Sequence, residues 1–379
     1  KSFIMKGLNN PFLVYGYDSP MYFCDREKET QDLLEALKNG RNISLISPRR
    51  MGKTGLIHNL FYYLQDEQKE WECIYIDIYA TKSLADFVRV LTREVVTKLA
   101  SPIQRIGNNI TNLLRGIKLT MEFDPITNQP QWGVGFHPQE TMQILDGVFQ
   151  FLKTIDQSVV IAIDEFQQIK EYPERNVEAL LRTHIQNAHN VRFIFSGSKQ
   201  YLMSQMFDSP KHPFYSSTQR LHLQTIDEDV YYKFASTHLK GKGLEISKEL
   251  FHTMYLTVDG VTWYVQSLLN KMYGIYENQV LTDEDFRRCL QIINSSRQED
   301  YRNLYKLLTP NQATLLVAIA KEHSVKAPTA GAFMQKYHLK AVGSVQRALQ
   351  YLLENEYIYT AEQGYIIYDR FLAFWLRTI

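Results

Sequence analysis

The chain has little cysteine, almost no net charge and no long apolar run, and each shortage excludes something. Only Cys24, Cys73 and Cys289 occur in 379 residues, isolated and without metal-ligand spacing. That argues against a disulfide scaffold or a zinc site and fits a reducing cytoplasm. With 42 Lys or Arg against 41 Asp or Glu, the net charge of +1 gives no global attraction for nucleic acid. No apolar run approaches the roughly 20 residues of a membrane span, and no signal-peptide pattern is visible in the first residues. What remains is a soluble globular composition, 45% hydrophobic and 22% charged, in a chain long enough for two or three domains. The frequent aromatics, 24 Tyr and 20 Phe, read first as large core and interface side chains.

The stretch from Asn42 to Leu56 organises the rest. Ile43 to Ile46 reads as an apolar strand, Ser47-Pro48-Arg49-Arg50-Met51 as a tight turn, and Gly52-Lys53-Thr54-Gly55 as the opening of a helix that carries Leu56, Ile57, Leu60, Phe61 and Leu64 at helical spacing. This is the layout of a phosphate-binding loop. Turn and helix N–H groups converge on one spot and favour an anion there. Lys53 would reach the terminal phosphates, Thr54 would join an Mg²⁺ shell, and Gly52 would let the backbone approach without a Cβ. The usual pattern begins with Gly, and that position is Ser47. Arg49 and Arg50 fit either solvated turn positions or added positive potential beside the phosphates.

Val159-Val160-Ile161-Ala162-Ile163-Asp164-Glu165-Phe166 is the second motif, a buried parallel strand ending in two acids. Ligands of such sheets sit beyond the carboxyl ends of the strands. Asp164 would hold Mg²⁺ and Glu165 would orient and deprotonate the attacking water. Taken alone the pair could simply cap a helix; an upstream phosphate loop in the right order favours the chemical reading.

Between and around these motifs the pattern alternates strand and helix. Asp25 reads as the N-cap of a helix carrying Leu33, Leu34 and Leu37. Residues 72–79 read as a second strand and 83–100 as a helix. Alternating segments around Asp124-Pro125-Ile126-Thr127-Asn128-Gln129-Pro130 suggest a β-hairpin inserted at 117–136. A helix at 138–153 follows; later come a helix at 176–188, a strand at 191–198 and a fifth strand at Leu221-His222-Leu223. Helices follow at 228–238, 247–258, 261–276 and 282–296, then a polar connection at 297–303. Helices at 309–323, 329–338 and 344–355 and a hairpin turned by Ala361-Glu362-Gln363-Gly364 spell out a winged helix. Residues 301–379 hold nine Lys or Arg against five Asp or Glu, a mild +4. The third of these helices offers Ser344, Gln346, Arg347 and Gln350 for phosphate or base-edge contacts, with one arginine among them.

With Phe23, Arg26 and Glu27 ahead of the phosphate loop, the chain resembles the prokaryotic and archaeal ATPases at the border of the AAA+ and STAND classes of P-loop NTPases. Their entry motif is an aromatic followed shortly by Arg-Glu. The resemblance implies that Phe23 and Arg26 lie against the adenine; a core position for Phe23 before a capped helix is the plainer alternative. It implies a polar sensor at Ser196 or Ser198, where an everyday strand-end turn is the alternative. Pro213-Phe214-Tyr215 matches the family's Pro-aromatic-aromatic stretch, but Ser216-Ser217 replaces its Gly-Arg, leaving Arg220 as a displaced candidate for an arginine finger. Gly260-Val261-Thr262 stands where relatives have Gly-x-Pro, and Tyr368, Asp369, Phe371 and Trp375 match the residues that close their wing.

The expected architecture is an α/β P-loop NTPase core, a three-layer parallel sheet of the AAA+ kind at 1–224, a helical lid at 225–300 and a winged-helix domain at 301–379. The expected activity is Mg²⁺-dependent ATP binding and hydrolysis run as a nucleotide-driven switch. ATP rather than GTP comes from the resemblance, and no Asn-Lys-x-Asp guanine reader occurs. ATP and Mg²⁺ are the expected substrate and cofactor. A protein partner would meet the winged helix or the hairpin, self-assembly is allowed, and no membrane contact is expected. The alternative is a nucleotide-gated DNA-binding regulator with little hydrolysis. An interaction scaffold with a decayed site is the third reading, prompted by Ser47 and the missing Gly-Arg.

Overall fold

The computed structural model describes residues 8–66, 71–99, 118–123 and 130–379. They fall into two compact units, one within residues 15–226 and the other made of residues 8–14 with 227–379.

The first unit is built on five parallel strands: β1 (Ile43–Ile46), β2 (Trp71–Asp77), β5 (Ser158–Asp164), β6 (Val191–Gly197) and β7 (Gln219–His222), in the order β2-β5-β6-β1-β7. The expected hairpin is present as β3 (Lys118–Phe123) against β4 (Pro130–Gly135); its turn lies outside the described residues. Helices cover both faces. Helices α1 (Glu27–Lys38) and α2 (Lys53–Asp66) lie on one face. On the other are α3 (Leu84–Leu99), α4 (Thr141–Lys153), α5 (Val177–Gln186) and α6 (Gln200–Asp208), which enclose the main apolar cluster.

The two-residue period of a strand sorts the side chains. Ile74, Ile76, Val159, Ile161, Ile163, Val191, Phe193 and Phe195 enter the main cluster. The residues that alternate with them, among them Tyr75, Asp77, Asp164 and Ser196, therefore turn to the α2 face. On α2, Leu56, Ile57, Leu60, Phe61 and Leu64 are all buried, as the spacing predicts. Each stabilises by about 1.5–3 kcal/mol in gross burial terms.

Two local expectations are corrected in this unit. Asp25 does not cap α1: Arg26 holds the N-cap position without a side-chain cap, and both residues are left-handed, at φ 54° and 70°. The reversed turn aims the Arg26 guanidinium inward, where it binds Glu29 Oε1 at 2.8 Å and the Met51 carbonyl at 3.2 Å. The fifth strand starts two residues earlier than expected, which makes Arg220 a strand residue in register with Ser44.

The second unit contains α7 (Glu228–Lys240), α8 (Lys248–Thr257), α9 (Thr262–Ile275) and α10 (Asp283–Lys306). The winged helix follows as α11 (Pro310–Glu322), α12 (Gly331–Lys336), α13 (Val342–Glu354), β8 (Ile358–Ala361), β9 (Gly364–Ile367) and α14 (Arg370–Leu376). Gly364 takes φ 121° at the wing turn, a conformation that suits Gly. The connection expected at 297–303 is instead helix: α10 runs unbroken for 24 residues from a capping box of Thr282 and Asp285. No Gly or Pro interrupts it, and its polar stretch has a buried side. The Arg297 guanidinium lies 5.1 Å from the Trp263 ring and 5.4 Å from the Phe371 ring. Beside it, Arg370 Nε lies 2.7 Å from Asp259 Oδ2. Residues expected in the core also lie here. Phe12 is fully buried against Phe234, His238 and Tyr273; the Asn10 amide donates to the Asn270 carbonyl at 2.9 Å, and the Asn270 amide donates to the Phe12 carbonyl at 2.7 Å.

Candidate functional site

The site lies where β1, β5 and β6 end and α2 begins. Because β6 runs between β1 and β5, the strand-end residues of β6 stand between the loop after β1 and the acids after β5. In the loop, Arg50 and Gly52 are left-handed at φ 70° and 94°. The turn leads into α2 at Lys53, and Leu56 N–H already bonds the Gly52 carbonyl at 2.9 Å. The leading N–H groups of α2 have no intrahelical acceptor and make an anion site.

Lys53 is buried, and its ammonium donates to the carbonyls of Ser47 at 2.9 Å and Pro48 at 3.0 Å. Burial pushes it down to about 8, against the upward pull of Asp164 and Glu165; nearby Arg49 adds to the lowering. Asp164 is buried too, and three donors hold its carboxylate. The Thr54 hydroxyl and the Tyr75 phenol each donate to Oδ2 at 2.8 Å, and Glu165 N–H donates to Oδ1 at 3.0 Å.

Glu165 follows at φ 54°, which turns the chain out of the strand. Its Oε2 accepts from Ser198 Oγ at 2.7 Å and closely from Gln167 Nε2. Gly197 permits this approach, since an added Cβ there would collide with Met203 Sδ and Gln167 Oε1. Of the two serines proposed as sensors, Ser198 reaches Glu165, whereas Ser196 Oγ is buried within β6 with no hydrogen-bond partner among the described residues.

On the other side of the loop, Arg26 grips the Met51 carbonyl, and the Phe23 ring sits so close to Gly55 that an added Cβ would lie 3.0 Å from it. Tyr17 crosses Phe23 edge-on at 5.9 Å and stacks over His58 at 6.1 Å. The structure thus brings Phe23, Arg26, Met51 and Gly55 to one flank of the loop, and Ser47, Lys53, Thr54, Asp164, Glu165 and Ser198 to the other. It does not bring Arg220 to either: its guanidinium pairs with Asp208 at 3.0 Å. Tyr75 and Gln167 escaped the sequence reading. The available signal for Tyr75 was a polar-tipped ring two residues from the carboxyl end of an otherwise apolar strand.

The donor set suits a magnesium ion bound with nucleotide phosphates. Thr54 and Asp164 present hard oxygens side by side, and no group of three His, Cys, Asp or Glu that could hold a metal occurs among the described residues. A cation here would complete its shell from phosphate and water oxygens, as Mg²⁺ does.

Comparisons with known proteins bear on the family and the fold. A family model described as "ATPase domain predominantly from Archaea" matches residues 23–268, and one described as "Probable winged helix domain" matches residues 299–378. Among solved structures, a Walker-type ATPase of Pyrococcus abyssi is similar at a TM-score of 0.65 and 18% identity, over 97% of this chain and 99% of that one. The ORC1 protein of Aeropyrum pernix, solved in complex with DNA, gives 0.53 and 12% over 94% and 93%. The ORC2 protein of the same organism, solved with ADPNP and ADP, gives 0.51 and 15% over 97% of each chain. At these identities the likeness shows a shared fold. No curated protein matches the chain.

Proposed function

The chain belongs to the family of ATPase domains predominantly from Archaea, and from that premise we propose that it binds ATP with Mg²⁺ and hydrolyses it as a conformational switch. The observation that carries the reading is the meeting of Thr54 and Asp164 at 2.8 Å beside a buried Lys53, with Glu165 held by Ser198 at 2.7 Å. Lys53 and the loop amides would hold the phosphates. Thr54 and Asp164 would hold Mg²⁺, which when bound neutralises charge on the phosphate oxygens. Glu165 would orient the attacking water and take its proton, with Ser198 and Gln167 fixing the carboxylate. Phe23 and Arg26 would flank the base. Arg220, half exposed at 50%, is the candidate finger toward a neighbouring copy in an assembly. The test is nucleotide binding and phosphate release by purified protein with Mg²⁺; absence of any nucleotide binding would sink the reading.

The switch would move the lid and the winged helix together. Both belong to one compact unit, spanned by the single helix α10 and joined through Arg297, Asp259 and Arg370. Amide exchange across residues 295–303 is therefore expected to stay slow with ATP and with ADP. Fast exchange confined to either state would mean that α10 opens and that the two parts move separately.

DNA binding is the second reading, favoured by the winged helix and by the DNA complex of the Aeropyrum ORC1 protein. On α13, Gln346 and Arg347 are exposed, but Gln350 is tied to Glu354 at 2.8 Å. A single arginine on that face gives little phosphate neutralisation. Elsewhere on this unit, a cavity of about 480 Å³ is lined by Arg302, Tyr305, Lys306, Val317, Tyr337 and Trp375, which suits a protein segment better than a duplex. The expected result is weak DNA retention with a shallow salt dependence, unchanged by Arg347→Glu. A steep salt slope that Arg347→Glu flattens would establish the DNA reading instead.

A further inference from the structure

We propose that Tyr75 is a positioning residue for the Mg²⁺-binding carboxylate of Asp164; the inference rests on the nucleotide reading above and adds a residue that lies outside both motifs. Tyr75 is on β2, in register with Ala162, and Asp77 two residues on is in register with Asp164. Ile74 and Ile76 point into the main apolar cluster, so Tyr75 stands on the α2 face with Asp164. The His58 ring of α2 lies 4.8 Å from the Tyr75 ring at 41°. Packing between α2 and the sheet thus locates the phenol, and its OH donates to Asp164 Oδ2 at 2.8 Å.

The same oxygen receives a second donor from Thr54. The Thr54 hydroxyl donates to Oδ2 at 2.8 Å, while Oδ1 is held by Glu165 N–H at 3.0 Å. A hydroxyl has one proton and two lone pairs. As a cation ligand, Thr54 turns a lone pair toward the metal, and its single proton need no longer point at Asp164. Tyr75 then remains as the side-chain donor on Oδ2. With Glu165 N–H on the other oxygen, it fixes the plane of the carboxylate. Partners of this kind, which orient a metal-binding group without touching the metal, commonly change metal affinity by an order of magnitude or more.

Tyr75→Phe removes the oxygen and keeps the ring. The experiment measures affinity of the full chain for a fluorescent ATP analogue in EDTA, then along a Mg²⁺ titration. The expected result is an EDTA affinity within about twofold of wild type and a Mg²⁺ midpoint raised about tenfold. A midpoint within about twofold of wild type overturns the proposal. His58→Ala loosens the ring without touching the phenol and should raise the midpoint by a smaller factor; it carries the test if Tyr75→Phe fails to fold, and an unchanged midpoint there overturns the proposal. Wild-type protein that binds no nucleotide, or binds it without regard to Mg²⁺, overturns this inference together with the functional reading. Mg²⁺-dependent wild type beside an unchanged Tyr75→Phe overturns this inference alone.

Discussion

Glu165→Gln is expected to bind Mg²⁺-ATP as the wild type does and to release phosphate at least about a hundredfold more slowly, the usual range for loss of a positioned general base. The substitution preserves shape: an amide oxygen can still accept from Ser198 Oγ, which sits 2.7 Å from the carboxylate. What is lost is the capacity to take a proton from water. Binding is spared because Glu165 is not among the groups proposed to meet phosphate or metal; those are Lys53, Thr54 and Asp164. Parallel measurements of nucleotide affinity and phosphate release separate the two effects. Turnover within about tenfold of wild type would remove Glu165 as the base and leave it a structural partner of Ser198 and Gln167.

Lys53, Thr54, Asp164 and Glu165 stood out in the sequence, whereas Gln167 did not, and the reason is periodicity. A buried parallel strand, a tight turn and Gly-Lys-Thr specify a geometry with few alternatives, and the acids at 164–165 come directly after five buried residues, Val159 to Ile163, with Asp164 closing the strand. Two-residue alternation then decides which side chains share the α2 face. Less was legible where structure depends on distant contacts. The polar run at 297–303 read as a connection because its charges suggested solvent, yet Arg297 lies over the rings of Trp263 and Phe371, residues far away in sequence. The left-handed backbone at Asp25 and Arg26 departs from the usual N-cap pattern, in which Asp would be an ordinary choice. Tyr75 carries no motif at all; it stands opposite Ala162 in the β2–β5 pairing, and only the hydrogen bond of its phenol to Asp164, two residues further along β5, gives it meaning.

Lys53→Met is expected to act on binding and on stability with opposite signs. Charge-assisted hydrogen bonds contribute about 1.5–3 kcal/mol each, so losing two to phosphate lowers ATP affinity by roughly two to four orders of magnitude. Stability follows from burial. The folded chain holds the ammonium down at about 8, from an ordinary 10.5. At neutral pH its charged form therefore costs the fold about 3 kcal/mol, at 1.36 kcal/mol per decade. The sign follows from proton counting. Between about pH 8 and 10.5 the unfolded chain binds more protons at this position, so wild-type stability rises with pH across that window. Below it the cost is constant. Methionine removes the charge and the hydrogen bonds to the Ser47 and Pro48 carbonyls together. The nucleotide-free variant should consequently melt no lower than wild type at pH 7 and should lack this residue's share of the gain toward pH 10. Added Mg²⁺-ATP should raise the melting temperature of wild type only, since stabilisation by a ligand scales with its affinity for the folded state. Phosphate would restore the charged form of Lys53, so wild-type binding should take up a proton near pH 8.5 and weaken above it. A nucleotide-free variant that melts several degrees below wild type would instead make the Lys53 ammonium a structural clip for the loop, with its two carbonyl contacts outweighing the desolvation of its charge.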